Sequence, residues 1–212
     1  MEKFILKVNE VCIWIFRLSC LNILWIVFTL LGLGIFGLFP ATVAVFAVTR
    51  KWVMKEEPKL FITFWDTYKK EFLKVNLLGY LLLFFGLFLY LDLHFFRSIE
   101  NSFVDYLPFI YIPIVILYLF TVLYIFPVYV HFELKFIHII KNAFLFAISS
   151  PIISILMVIG ISLVYLILYM VPIFIIFFSV SLVSFVIMWC ANLAFLRYHL
   201  AQQKMGNNET FN

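Results

Sequence analysis

Apolar and charged positions along this chain are sorted into alternating blocks. Asp, Glu, Lys and Arg fall only within residues 1–17, 50–74, 92–106, 131–142 and 197–212. The blocks between them, 18–49, 75–91, 107–130 and 143–196, contain none of the four. A helix crosses the hydrocarbon of a bilayer with about 20 apolar residues, and a charge at its centre costs several kcal/mol. The blocks therefore predict an all-α fold: a polytopic transmembrane helix bundle of five or six spans, with short interfacial amphipathic helices. A membrane β-barrel would alternate polar and apolar residues over strands of about ten residues, which these runs do not.

The first uncharged block, 18–49, is interrupted by Gly32, Gly34, Gly37 and Pro40. Glycine loosens a helix, and proline cannot donate the backbone bond of a helix interior. The block thus predicts a membrane helix, a glycine-rich turn and a second, shorter helix. Pro40 is placed as the first residue of that second helix, where its missing N–H costs nothing. Gly37 and Pro40 mark the structural break. Residues 18–49 form either one span or a tight hairpin at Phe39-Pro40, and Lys3, Lys7 and Arg17 favour the hairpin, with the N-terminus in the cytoplasm.

The charged blocks carry helical periodicity of their own. In 3–17, Lys3, Lys7, Glu10 and Arg17 fall near one face, opposite Phe4, Ile5, Val8, Val11 and Ile15, which predicts an interfacial helix. The segment 50–74 holds seven basic and four acidic residues. Within it Phe61, Phe64, Trp65, Tyr68 and Phe72 follow helical spacing, while Thr63, Asp66, Thr67, Lys70 and Lys74 take the other face. A second amphipathic helix begins after Pro58 and leads into the span 75–91. An outer loop at 92–106 and a span at 107–130 follow. The next cytoplasmic amphipathic helix is 131–142, with Phe132, Phe136, Ile139 and Ile140 opposite His131, Lys135, His138 and Asn142. Spans 143–170 and 172–196 are divided by Pro172, and a polar tail, 197–212, frays. Lys and Arg counts place 50–74, 131–142 and the C-terminus in the cytoplasm.

Composition agrees with this reading. The chain is 66% hydrophobic and 12% charged, with mean hydropathy +1.14. A soluble domain carries about twice that charge fraction. Cys12, Cys20 and Cys190 are too few and too apolar in setting for a disulfide framework or a zinc cluster. The N-terminal segment lacks the pattern of a cleaved signal and is expected to be retained.

Candidate chemistry is sparse. His131 and His138 lie seven residues apart on one predicted face, about 10 Å along a helix, too far to share one ion. They read as part of a solvated cytoplasmic face. Asn22, Asn76, Asn142 and Asn192, in or beside spans, and the serines at 149, 150, 154, 162, 179, 181 and 184 read as helix-packing groups. The sequence has neither the H-E-x-x-H nor the glycine-rich phosphate motif, and no serine has a partnered His or Asp. The expectation is a non-enzyme without cofactor or metal, and without nucleic acid as partner. The aromatic stripe Phe61, Phe64, Trp65, Tyr68 and Phe72 serves as an interfacial anchor or a docking face. Arg50, Lys51 and Trp52 contact lipid headgroups or anchor the topology. These eight residues are the candidate partner or lipid contacts.

The ordered blocks GLFPATVAVFAVTRKW at 37–52, FITFWDTYKKEFLKVNLLG at 61–79 and FPVYVHFELKFIHIIKNAFLFAISSP at 126–151 cover most of the chain. By them the chain resembles the YesL-like family of bacterial membrane proteins, a domain family of unknown function. Pro40, Arg50, Trp52, Phe64, Trp65, Pro127, Asn142 and Pro151 are its family-like positions. The resemblance implies a multi-pass protein of the bacterial cytoplasmic membrane, often encoded beside genes of carbohydrate uptake and breakdown, and supplies no activity. The first expectation is a non-enzymatic accessory component of a carbohydrate uptake or utilisation system, in contact with the lipid bilayer and a sugar-transporter permease or membrane sensor. The Gly/Pro stretch at 32–40 and the serines and asparagine of the last span suggest a second, a small facilitator or channel for a neutral solute. The third is a regulatory membrane protein docking a cytoplasmic partner through 59–74.

Overall fold

The computed structural model describes residues 2–97, 107–132 and 134–209. They form seven helices: α1 Glu2–Leu31, α2 Ile35–Val53, α3 Leu60–Arg97, α4 Leu107–His131, α5 Phe136–Ser149, α6 Pro151–Met170 and α7 Ile173–Glu209. All but α5 contain a segment long and apolar enough to cross a membrane, which makes six spans and a multi-pass membrane bundle. The fold class read from the charge blocks is the one observed.

The first uncharged block is two helices, α1 and α2, folded into a hairpin. The break, however, lies at residues 32–34 and not at Gly37 and Pro40. Leu33 and Gly34 adopt φ of 58° and 73°, left-handed values that reverse the chain and that glycine tolerates best. Gly37 belongs to the seam instead. A β-carbon there would lie 2.5 Å from the Thr29 carbonyl oxygen and 2.7 Å from that of Phe28.

Pro40 is the sixth residue of α2 and lies inside it. A proline there leaves the carbonyl four residues back, that of Phe36, without its helical donor. The Asn76 side chain on α3 supplies one, its Nδ2 standing 2.9 Å from the Phe36 oxygen. The helix therefore continues through the proline. A donor 36 positions further along the chain removes the reason for a break.

Helix α2 is the centre of the bundle. Eleven of its 19 residues are buried, and it touches α1, α3, α4 and α7. One core cluster joins α1, α2 and the first half of α3 around Phe28, Val45, Phe64 and Tyr68. A second joins α4 to α7 around Tyr124, Phe146, Met188 and Phe195. The exposed apolar side chains of α1, α3 and α6, such as Phe16, Phe84 and Leu166, form the lipid-facing surface.

Three boundaries differ from the sequence pattern. The predicted interfacial segments 3–17 and 60–74 are continuous with the spans that follow them, as parts of α1 and α3. At 38 residues α3 is about 57 Å long at about 1.5 Å per residue, against about 30 Å of hydrocarbon, so its polar first turns stand outside the apolar layer. The amphipathic helix expected at 131–142 is α5, 136–149, because α4 holds its hydrogen bonding through His131. Pro151 then opens α6 at its first turn, which moves the start of the span expected at 143 to residue 151. The tail expected to fray is helical to Glu209 as part of α7. Of the outer loop expected at 92–106, residues 92–97 are the end of α3, and residues 98–106, with Glu100 and Asp105, lie outside the described residues, as do Glu133 and residues 210–212.

The basic connections gather at one end. Arg17 of α1 pairs with Glu57 of the α2–α3 loop at 3.1 Å. Phe132, after α4, packs edge-on against Phe195 of α7 at 5.1 Å between ring centroids. The opposite end carries the uncharged turns at 32–34 and 171–172 and the end of α3, with Asp92 and Arg97.

Candidate functional site: a polar cleft at the charged end

Between the last turns of α2, the first half of α3 and the end of α4 lies a cavity of about 720 Å³. Its apolar floor is Val43, Ala47 and Val130, and its wall is polar: Arg50, Lys51, Glu57, Lys59, Thr63, Asp66, Thr67, Lys70, Glu71 and Tyr129. A neighbouring cavity of about 680 Å³ shares Lys70, Glu71 and Tyr129 and extends past Lys74 to Lys135 and Phe136. The pillar between them is a hydrogen bond from the Tyr129 hydroxyl to Glu71 Oε2, 2.6 Å long.

The cleft follows from the periodicity of α3. Phe64, Tyr68 and Val75 face the α1–α2 hairpin and are buried. Thr63, Asp66, Thr67 and Lys70 take the neighbouring face and line the cleft. Arg50 and Lys51 arrive from the last turn of α2, where a cation also complements the partial negative charge of the helix end.

The charges are unevenly committed. Glu57 is held from outside by Arg17, and Glu71 by Tyr129, with Lys70 Nζ 3.8 Å away. Arg50, Lys51 and Lys59 make no ion pair among the described residues. The Arg50 Nε is buried with no hydrogen-bond partner among them. Such an arrangement attracts and orients an anion.

The aromatic stripe is divided rather than presented as one face. Trp52, Phe64 and Tyr68 are core residues, Phe64 with no exposed surface at all. The Phe28 ring lies 5.2 Å from that of Phe64 and 5.1 Å from that of Tyr68, whose hydroxyl donates to the Phe28 carbonyl. Phe72 packs half-buried against Tyr68. This corrects the reading of Trp52, Phe64 and Tyr68 as partner or lipid contacts, because the α1–α2 hairpin already covers them. Phe61 and Trp65 stay open, 56% and 41% exposed.

His131 and His138 are not on one helix, which corrects their placement on a shared solvated face. His131 ends α4, half-buried against Phe132 and Phe195, while His138 is exposed on α5. Asn22 and Asn76 join helices. Asn22 donates to the Ile176 carbonyl of α7 and accepts from the Val180 and Ser181 amides. Asn142 lines an apolar cavity of about 360 Å³ beside Phe146 and Tyr198. The hydroxyls of buried Ser181 and Ser184 donate to carbonyls of their own helix. The described residues bring no three His, Cys, Asp or Glu side chains into metal-binding range.

The polar face of α3 is legible in the sequence, but the expected contacts lay on its aromatic one. The available signal was hydroxyl and charged residues at 63, 66, 67 and 70, beside a family-like Arg50.

Residues 18–93 match the family described as "Protein of unknown function, DUF624". The chain is 35% identical over 198 residues to "Uncharacterized protein YesL" of Bacillus subtilis (strain 168), covering 92% of this chain and 93% of that one. It is 37% identical over 182 residues to "Uncharacterized protein YteU" of the same organism, covering 82% and 78% respectively. To "Uncharacterized protein YesV", also of that organism, it is 35% identical over 196 residues, covering 92% and 94%. No solved structure matches the chain.

Proposed function

The chain belongs to the DUF624 family of YesL-like membrane proteins, and from that premise we propose that it is a non-enzymatic accessory protein of a bacterial carbohydrate uptake or utilisation system. It sits in the cytoplasmic membrane with the N- and C-termini and the polar cleft on the cytoplasmic side. The orientation is supported by Arg17, Arg50, Lys51, Lys55, Lys59 and Lys135 at one end of the bundle, against Arg97 as the one Lys or Arg among the described residues at the other. Six crossings then return the C-terminus to the side of the N-terminus.

The observation that carries the reading is the division of polar groups. Within the spans, Asn22, Ser181 and Ser184 are bonded to backbone groups and Asn76 donates to two carbonyls. The Asn76 Oδ1 and the Thr29 and Tyr124 hydroxyls are buried there without a partner among the described residues, and no charged side chain joins them. Uncommitted cations gather in an open cleft, beside the exposed edge of Phe61, Ile62 and Trp65. That is the distribution of a protein that binds at its cytoplasmic end, and a permease or membrane sensor is the partner proposed there. The setting in sugar use rests on the family resemblance.

The test is a gentle-detergent pull-down from the native membrane with quantified co-purifying chains. A stoichiometric permease or sensor is expected, lost when Phe61 and Trp65 are both changed to Ala. Recovery alone or only as a homo-oligomer counts against the accessory role, as does unchanged uptake of every sugar tried in a deletion strain. One observation favours a facilitator instead: a cavity of about 210 Å³ among α2, α4, α6 and α7, lined by Thr42, Ser179 and Ser184. Solute flux in liposomes of verified orientation decides that second reading.

A further inference from the structure

We propose that the cleft is a phosphate-binding site, in which Arg50, Lys51, Lys59 and Thr63 hold the phosphate of an ester and Asp66 takes an adjoining hydroxyl or ammonium. The proposal deepens the reading of this end as a binding surface, and it does not depend on which protein partner docks beside it.

Arg50 carries the argument. Its Nε is out of contact with solvent and has no hydrogen-bond partner among the described residues, although the residue lines the cleft. Nε, closed to water, is closed to a cleft ligand as well, so an anion there meets the rest of the guanidinium and its charge, which no carboxylate among the described residues pairs. The planar fork of arginine matches phosphate oxygens two at a time, which lysine cannot do. Lys51 and Lys59 supply two further cations that no carboxylate neutralises among the described residues. The acidic wall is spoken for in part, since Glu57 faces Arg17 and Glu71 accepts from Tyr129.

Asp66 and the two threonines refine the ligand. The Thr67 hydroxyl proton is committed to the Thr63 carbonyl at 2.8 Å, whereas the Thr63 hydroxyl makes no hydrogen bond among the described residues. Asp66 lines the cleft without an ion pair among the described residues. A bare phosphate would be repelled by it, but a phosphate ester with a neighbouring hydroxyl or amine is complementary. A volume of about 720 Å³ falls within the roughly 300–1,000 Å³ of small-molecule sites and exceeds what the phosphate alone needs. The floor of Val43, Ala47 and Val130 sets apolar side chains directly against the charged wall, a pairing that suits a lipid headgroup with its glycerol and chains below it. Two sources share this chemistry, the headgroup of an anionic phospholipid and a soluble phosphate ester.

The full chain, purified in phosphate-free buffer and a lipid-stripping detergent, is offered two probes. Phosphatidylglycerol is added in micelles, and the lipid retained per chain is counted by native mass spectrometry. Glycerol 3-phosphate is titrated by calorimetry. Retention of one phosphatidylglycerol that excess glycerol 3-phosphate fails to displace assigns the headgroup source. Saturable binding of glycerol 3-phosphate assigns the soluble source. In either case Arg50→Gln and the double variant Lys51→Gln/Lys59→Gln weaken binding at least about tenfold. Lys141→Gln, an exposed lysine on α5 away from the cleft, leaves it unchanged. The double variant keeps the test decisive if Arg50→Gln alters folding, because Lys59 is exposed. The proposal is overturned if neither probe binds, if binding survives both cleft variants, or if Lys141→Gln weakens it equally. The pull-down of a protein partner is read separately, so either idea can fail without the other.

Discussion

Two buried asparagines fasten two seams of this bundle, and they are loaded differently. On the α1–α7 seam, Asn22 donates to the Ile176 carbonyl at 2.7 Å and accepts from the Val180 amide at 2.9 Å. Those two backbone groups are four residues apart, the pair that an α-helix joins by itself. On the α2–α3 seam, Asn76 donates to the Phe36 carbonyl, whose helical donor would be residue 40, a proline. Its second N–H goes to Phe72 of its own helix. Asn22 adds a link to a helix that is complete without it. Asn76 replaces a missing part. The same residue type in the same apolar setting is thus a fastener in one place and a prosthesis in the other.

The largest effect is expected at the hairpin that both seams share. Gly37→Ala drives a β-carbon into the Thr29 and Phe28 carbonyls, backbone atoms that cannot rotate away. Opening the α1–α2 contact should cost about 3 kcal/mol, read as a lowered midpoint of unfolding in mixed maltoside–SDS micelles. An unchanged midpoint would mean that the hairpin is looser than described and that the two seams are not coupled through it.

Next comes Asn76→Leu. The Phe36 carbonyl is left in an apolar seam with no donor, and about 2 kcal/mol should be lost in the same assay. Asn22→Leu should cost less, about 1 kcal/mol, because the α7 groups can satisfy each other once the side chain is gone. The ranking is the content of the comparison. Equal losses, or a larger one at Asn22, would show that both residues act as plain interhelical links.

The contrast also explains what the sequence could convey. Charge blocks follow directly from the cost of charge in hydrocarbon, so the all-α class and a count of five or six crossings were legible along the chain, and the turn at 32–34 makes it six. Pro40 was misread because its effect depends on Asn76, and one-dimensional periodicity does not say which helix faces which. Phe64 and Tyr68 were misread for the same reason: their partner Phe28 lies in an uncharged stretch that reads only as membrane. The cleft was half legible. Thr63, Asp66, Thr67 and Lys70 stood out as one polar face, but Arg50 and Tyr129 join it only through the packing of α2 and α4 against α3. Hence its unpaired cations could not be separated from an ordinary basic loop.

The smallest expected effect is the most diagnostic. Pro40→Ala restores an N–H to the Phe36 carbonyl and removes the clash of ring and oxygen, while it frees the unfolded chain, and these terms oppose one another. Alone it should change stability by no more than about 0.5 kcal/mol. In its background, however, Asn76→Leu no longer orphans the carbonyl, because residue 40 now donates. The cost of Asn76→Leu should therefore fall by about 1 kcal/mol, a coupling that a double-mutant cycle measures directly. The equivalent cycle between Pro40→Ala and Asn22→Leu should show none, since Asn22 bonds to α7 and not to α2. Coupling in the first cycle and additivity in the second would separate replacement from reinforcement. Additivity in both would mean that the Phe36 carbonyl finds another donor when Asn76 is removed, and that α2 passes through Pro40 for some other reason.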